Sequence, residues 1–402
     1  MKRLISANAS EILRMNAQEL KQSIKASEGR VILSENVAPR ESFIGDITNA
    51  EIARAFGADM ILLNCLDVLN PYIFGLKHDK DNFVDELHRL VGRPIGVNLE
   101  PVDLEAEMLE DRLDIAKGRQ LNLETVKRLD EVGFDFVCLT GNPGTGVTNE
   151  QIEKAISFTK ENFSGLIIAG KMHGAGSDEP VADLEIAKRF VKAGADVILV
   201  PAVGTVPGFD MDDLKAVCKE VHSCGGLVLS AIGTSQEGSD TDTIKDIAIM
   251  NKICGVDIQH IGDAGYGGVA PVENIMAISK AVRGVRHTVS MMVVQLIVNM
   301  EQKVILLACA AGMSTSLLVT KMQEVSKKDK IFAIPVSKVD QKVNEESIDV
   351  ILIGPQIRYM EKRIKEKMAV KHIPVGVIPM EDYGRMDGAK VLEYAYSLMN
   401  KG

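Results

Sequence analysis

Gly57-Ala-Asp59-Met-Ile-Leu-Leu63 sets a form that returns three times, as Gly133-Phe-Asp135-Phe-Val-Cys-Leu139, Gly194-Ala-Asp196-Val-Ile-Leu-Val200 and Gly255-Val-Asp257-Ile-Gln-His-Ile261. In each copy the glycine suits the left-handed residue that closes a helix, and the aspartate falls in the short connection to a strand. The copies lie 76, 61 and 61 residues apart, which leaves room for one further strand and two helices in each interval. Those further strands are Val31–Glu35, Pro94–Asn98, Leu166–Gly170 and Leu227–Ala231, separated by amphipathic segments such as Asn49–Phe56, Leu184–Lys192 and Ile244–Ile253. Eight strands alternating with helices predict a (β/α)8 TIM-like barrel over residues 1–288. A doubly wound open sheet is the alternative, but regular units without a long interruption favour closure. Ala9–Ala26 reads as an extra helix before the first strand, suited to covering the barrel floor.

Composition narrows the class. The chain has 402 residues, 46% of them hydrophobic, and no apolar run of the length needed to span a bilayer. Met1-Lys-Arg is followed by no apolar stretch of signal-peptide type. Six cysteines (65, 138, 218, 224, 254 and 309) are scattered with no C-x-x-C pair, so reduced thiols in a cytoplasmic protein, without a zinc site, are expected. Residues 303–402 hold 16 Lys and Arg against 12 Asp and Glu, leaving 30 against 44 in residues 1–302. An acidic main domain with no basic stripe of interleaved aromatics argues against a nucleic-acid partner.

In a barrel of this kind chemistry gathers at the carboxyl ends of the strands. Strand 7 is followed by Gly233-Thr234-Ser235 and strand 8 by Gly262-Asp263-Ala-Gly265-Tyr-Gly267-Gly268. Glycine lets backbone N–H groups approach an anion closely, so these loops are the expected phosphate-binding elements of the barrel, with ordinary glycine turns as the competing interpretation. Glu35, Asn64, Asp67, Asn98, Glu100, Asn142, Lys171, His173 and His260 reach the same rim. Lys171 and His173, two residues apart, are expected to face one site. Lys171 would be a Schiff-base or general-base lysine, His173 a proton carrier and Glu100 a proton acceptor. The competing assignments are a lysine paired with Glu35 or Glu100 and a solvated carboxylate. A magnesium or manganese ion held by Asp67, Glu100 and His173 stays open, because no tight ligand spacing demands it. His260 inside strand 8 reads as a hydrogen-bonded barrel residue.

The last hundred residues open on Lys303-Val-Ile-Leu-Leu-Ala-Cys309-Ala310-Ala311-Gly312-Met313-Ser314-Thr315-Ser316, an apolar strand entering a small-residue loop that leads into a helical pattern. A thiol there sits below the N–H groups of a helix N-terminus, which stabilises a thiolate and cradles phosphate. The residues 310–316 are accordingly the expected phosphate loop, with the Ser314, Thr315 and Ser316 hydroxyls assisting and Cys309 as nucleophile. The loop differs from that of cysteine phosphatases in carrying Thr315 where those have arginine, which suits transfer better than hydrolysis. Together with Leu352-Ile-Gly354-Pro355-Gln356-Ile-Arg-Tyr359-Met and Asp382-Tyr383-Gly384-Arg-Met-Asp387-Gly388, this segment resembles the IIB component of the lactose/cellobiose/chitobiose branch of the bacterial sugar phosphotransferase system.

The resemblance implies a small four-stranded parallel α/β phosphocarrier, with strands near 303–308, 331–336, 349–353 and 374–378. Cys309 would accept phosphate from a IIA phosphohistidine protein and pass it to sugar on a membrane IIC permease. The barrel resembles phosphosugar-processing barrels, such as N-acylglucosamine-6-phosphate epimerases, at the level of fold. The whole is expected to be a barrel over 1–288, an apolar linker over 289–302 and a IIB-like domain over 303–402. The barrel would act on a sugar phosphate as an isomerase, epimerase or aldolase. A non-catalytic sensor or scaffold and a metal-dependent lyase are the alternatives, and a homo-oligomer is left open.

Overall fold

In a computed structural model the chain is described for residues 2–109, 111–174, 176, 179–293, 303–310, 313–326, 329–369, 371 and 373–399. It divides into two compact units, with the boundary between Val298 and Asn299.

The first unit is a closed barrel of eight parallel strands in sequential order. They are β1 Val31–Val37, β2 Met60–Asn64, β3 Ile95–Leu99, β4 Phe136–Leu139, β5 Leu166–Gly170, β6 Val197–Pro201, β7 Leu227–Ile232 and β8 Ile258–Ile261. Alternation decides what faces inward. Val31 and Leu33, Met60 and Leu62, Phe136 and Cys138, Leu166 and Ile168, and Leu227 and Leu229 form one cluster inside the barrel. The intervening residues Ile32, Ile61, Val137, Ile167 and Val228 belong to the second cluster, shared with the outer helices. At Gly96 a side chain would meet the Phe136 ring at 2.2 Å, so a glycine on β3 makes room for the largest inward residue of β4.

The segment expected as one helix over Ala9–Ala26 is two helices, Ala9–Ile12 and Ala17–Lys25. Asn16 breaks the run by accepting the Glu19 N–H in a capping box. Leu4, Ile5, Ile12, Leu20 and Ile24 pack against Val31 and Leu166, closing the amino-terminal end of the barrel as expected.

The fourfold Gly-x-Asp form has a structural cause. Asp59, Asp135, Asp196 and Asp257 each donate a backbone N–H to a residue of the preceding strand, respectively Ile32, Ile95, Ile167 and Val228. Each carboxylate then accepts the N–H of that same residue, at 2.9, 2.7, 3.2 and 2.9 Å. A base sits on each clasp: Arg283, His88, Lys21 and His222 at 2.6, 2.7, 3.1 and 2.7 Å.

The last barrel helix, Val272–Val293, is interrupted at Gly284 (φ 74°, ψ 166°) and runs on past the expected end at residue 288. The expected linker therefore begins as helix through 293, and its remainder, 294–302, lies outside the described residues.

The second unit is a parallel sheet of β9 Val304–Cys309, β10 Lys330–Pro335, β11 Val350–Ile353 and β12 Val375–Val377, ordered β10-β9-β11-β12. Helices Met313–Val325 and Gly388–Met399 supply Leu318, Met322, Val391 and Leu392 to one face. Val339, Val343, Ile364 and Met368 cover the other.

Candidate functional site

The inward period of the strands carries polar residues at the carboxyl end of the barrel. Glu35, Asn64, Asn98 and His260 continue the inward rows begun by Leu33, Leu62, Gly96 and Ile258. Glu35, Asn64 and Asn98, with Thr140, Met172, His173, Glu237 and Asp263, line a cavity of about 170 Å³, and His260 is buried behind Glu35. Glu35, buried, accepts from Asn98 Nδ2 at 2.6 Å and pairs with His260 Nε2 at 3.0 Å. His260 is thus the hydrogen-bonded barrel residue expected from its place in β8. Asn98 also donates to Asn64 Oδ1 (3.1 Å), and Asn64 Nδ2 donates to Asp263 Oδ2 (2.9 Å). These amides join two carboxylates, Glu35 and Asp263, into one network.

The electrostatics follow from crowding acids in a closed space. Burial, then the neighbouring Glu35, push Asp263 up to about 7, so it holds a proton near neutral pH. Burial also raises Glu237. Burial lowers His173, which favours its neutral form. A proton-holding carboxyl and a neutral imidazole lining one cavity are groups fit for proton transfer. Among the described residues no group of three or more His, Cys, Asp or Glu is disposed to hold a metal ion.

Lys171 does not join this cavity. β5 ends at Gly170 (φ 150°), where a side chain would strike the Leu199 carbonyl at 2.0 Å. The alternation that put Lys171 and His173 on one face therefore stops before either residue. Lys171 Nζ, buried, donates to Glu179 at 2.9 Å and to the Val147 carbonyl at 3.3 Å. Its partner is neither Glu35 nor Glu100, and Glu179 also accepts the Asn149 N–H. Glu100 is occupied as well. It accepts from Arg119 at 2.7 Å and from the Asn142 backbone and amide at 2.9 and 3.0 Å, so it positions Asn142 from outside the cavity. Asp67 caps its own loop, accepting from Leu69 and Asn70.

The two glycine loops expected to bind phosphate do meet at the cavity, through Thr234, Ser235, Gly262 and Asp263. Between them lies a residue that sequence reasoning missed. Glu237, in a short turn after β7, accepts the Ala264 N–H at 3.2 Å, and a side chain at Gly262 would fall 2.4 Å from its Oε1. The Gly262 N–H is held by the Ile232 carbonyl, and Gly268 N–H by that of Gly265. The Thr234 hydroxyl bonds the carbonyls of Thr205 and Gly233. Glu237 and Asp263 line the same opening as these loops.

In the second unit Cys309 ends the central strand β9, paired with Pro335 of β10. The Gly354 turn follows β11 on the other side, its N–H on the Ala308 carbonyl at 2.9 Å. The thiol is thus at the carboxyl edge beside the turn, where the order of strands reverses. Sγ donates to the Ile334 carbonyl at 3.5 Å, and helix Met313–Val325 starts four residues on. Of the expected loop, Ala311 and Gly312 lie outside the described residues, as do the side chains of Met313 and Ser314; Ala310 is exposed. Thr315 is buried, and its hydroxyl lies 3.3 Å from that of Tyr383.

Fold and site define an α/β barrel with an acidic cavity, followed by a cysteine-bearing parallel α/β module. Residues 5–296 match the family model described as a domain of unknown function (DUF7916), and residues 304–394 match that of the PTS system, lactose/cellobiose-specific IIB subunit. The chain belongs to the first family through its barrel and to the second through its C-terminal unit. That unit is similar to the galactose-specific EIIB component of Lactococcus lactis subsp. cremoris (strain MG1363), with 44% identity over 108 residues, 25% of this chain and 100% of that protein. It is also similar to the oligo-beta-mannoside-specific EIIB component of Bacillus subtilis (strain 168), with 42% identity over 101 residues, 24% of this chain and 96% of that protein. For the barrel, a putative fructose-1,6-biphosphate aldolase structure from Coccidioides immitis aligns over 69% of this chain and 95% of its own, at 16% identity and TM-score 0.38. The barrel assignment rests on strand order rather than on that likeness. Among the described residues no helix is long and apolar enough to cross a membrane.

Proposed function

We propose that Cys309 is the phosphoryl carrier of a sugar phosphotransferase system and that the barrel performs proton-transfer chemistry on a carbohydrate. In the first step the Cys309 thiolate attacks the phosphorus of a IIA phosphohistidine. The S–P bond forms as the P–N bond breaks, and the imidazole leaves. In the second a hydroxyl of sugar bound by IIC attacks the phosphocysteine, losing its proton as the thiolate departs. The observation that carries this is the thiol at the end of the central strand, beside the Gly354 turn and ahead of a helix N-terminus, in a segment 44% identical to a EIIB component. Cys309→Ser, mixed with phosphorylated IIA, is expected to lose at least about 100-fold in acceptance rate, because an alcohol at this position is rarely ionised. A serine variant that accepts phosphate at the normal rate sinks the assignment.

For the barrel, Asp263 as proton donor and Glu35 as acceptor, with His173 lining the same cavity as a proton carrier, fit an isomerase or epimerase. A Schiff-base aldolase centred on Lys171 fits less well, since that ammonium is spent on Glu179 and Val147. Glu100 acts as a positioning residue through Asn142. The test is proton exchange: the full-length chain should release tritium from a C–H-labelled sugar, and Asp263→Asn should slow that release by roughly 100-fold. Release unchanged by Asp263→Asn and Glu35→Gln together removes the proton-transfer role.

A further inference from the structure

His173 is shared between the acidic cavity and a second recess of about 390 Å³. The two differ in chemistry. The acidic cavity is lined by Glu35, Glu237 and Asp263 and by no Lys or Arg. Three of its buried polar atoms, Asn98 Oδ1, Thr140 Oγ1 and Glu237 Oε2, have no hydrogen-bond partner among the described residues. Such atoms ask for hydroxyl or other polar ligand groups. The recess lies at the ends of β5 and β6 and is walled by Val181, Pro201, Val206, Pro207 and Phe209, and among the described residues His173 is the one titratable side chain lining it. A cavity of about 150 Å³ suffices for benzene, so a six-membered ring fits with space remaining.

The geometry points to a two-part ligand for the barrel: an uncharged polyhydroxyl head in the acidic cavity, joined to an aryl or branched alkyl group in the recess, with His173 at the junction. This deepens, and rests on, the carbohydrate assignment of the barrel. The head is uncharged because the acidic lining holds no Lys or Arg among the described residues to pair with a phosphate. The second part is apolar because the described walls of the recess are largely apolar and would remove apolar surface from water.

Titration calorimetry on the full-length chain, with matched phenyl and methyl β-glycosides of several hexoses and the 6-phosphates of each, tests this. The phenyl compound of one hexose should bind at least about tenfold more tightly than its methyl twin. Phe209→Ala should erase the difference while leaving methyl glycoside affinity unchanged, and Val206→Ser provides the same test should the first variant fold poorly. Equal affinity for phenyl and methyl compounds overturns the two-part ligand and leaves the carbohydrate assignment standing. Tighter binding of the 6-phosphates overturns the uncharged head. Failure of every glycoside to bind overturns both this inference and the carbohydrate assignment beneath it.

Discussion

Asp263 stands at the end of β8 with a carboxyl held near pH 7, and that has a thermodynamic consequence. The folded state binds its proton more tightly than the unfolded chain does, so stability falls as pH rises from about 4 to about 7, and is flat above. Asp263→Asn, which keeps an acceptor for Asn64, should therefore stabilise the protein by on the order of 2 kcal/mol at pH 8 and by little near pH 4. Thermal unfolding at the two pH values checks the sign. Much of this wall was legible from strand alternation alone: Glu35, Asn64, Asn98 and His260 sit where period two puts them. Glu237 was not, because a turn residue has no period to betray its direction. Lys171 misled for the opposite reason, since the alternation rule was carried one residue past the Gly170 bend. Lys171→Met should accordingly leave proton exchange within a few-fold of normal while costing roughly 1–3 kcal/mol of stability through the stranded Glu179.

At the scale of elements the four aspartate clasps differ in what they bury. Asp59 and Arg283 are both fully enclosed, so Asp59→Ala leaves a guanidinium without its counter-ion and should cost about 3–5 kcal/mol. Asp196 faces Lys21 and the half-exposed Lys160, and its loss should cost about 1–3 kcal/mol, largely from the unpaired Ile167 N–H. Urea denaturation of the two variants gives the comparison. His222 adds a pH term. Its bond to Asp257 raises its pKa, so that stabilisation is complete below the unfolded histidine value of about 6.5 and fades as pH rises through the higher folded value. His222→Gln should remove that slope. The Gly-x-Asp form announced these clasps as a repeat, yet their bases come from distant helices at no fixed spacing, which hides them from any local pattern.

For the whole molecule, each apolar cluster belongs to one unit: two lie wholly in the barrel and two wholly in the C-terminal unit. Residues 1–298 and 299–402 made as separate chains should each fold, with the second still accepting phosphate at Cys309. Calorimetry of the intact chain should show two transitions matching the separate pieces. Within the barrel the clasps impose a finer grain. Each ties an odd strand to the even strand after it, and among the described residues no equivalent side chain ties an even strand to the next odd one. The barrel is thus clasped at its amino-terminal edge as four pairs, with no aspartate clasp among the described residues at β2–β3, β4–β5, β6–β7 and β8–β1. Breathing of the closed sheet should begin at the amino-terminal ends of the unclasped seams, so amides bonded across them there should exchange with solvent deuterium faster than amides beside a clasp.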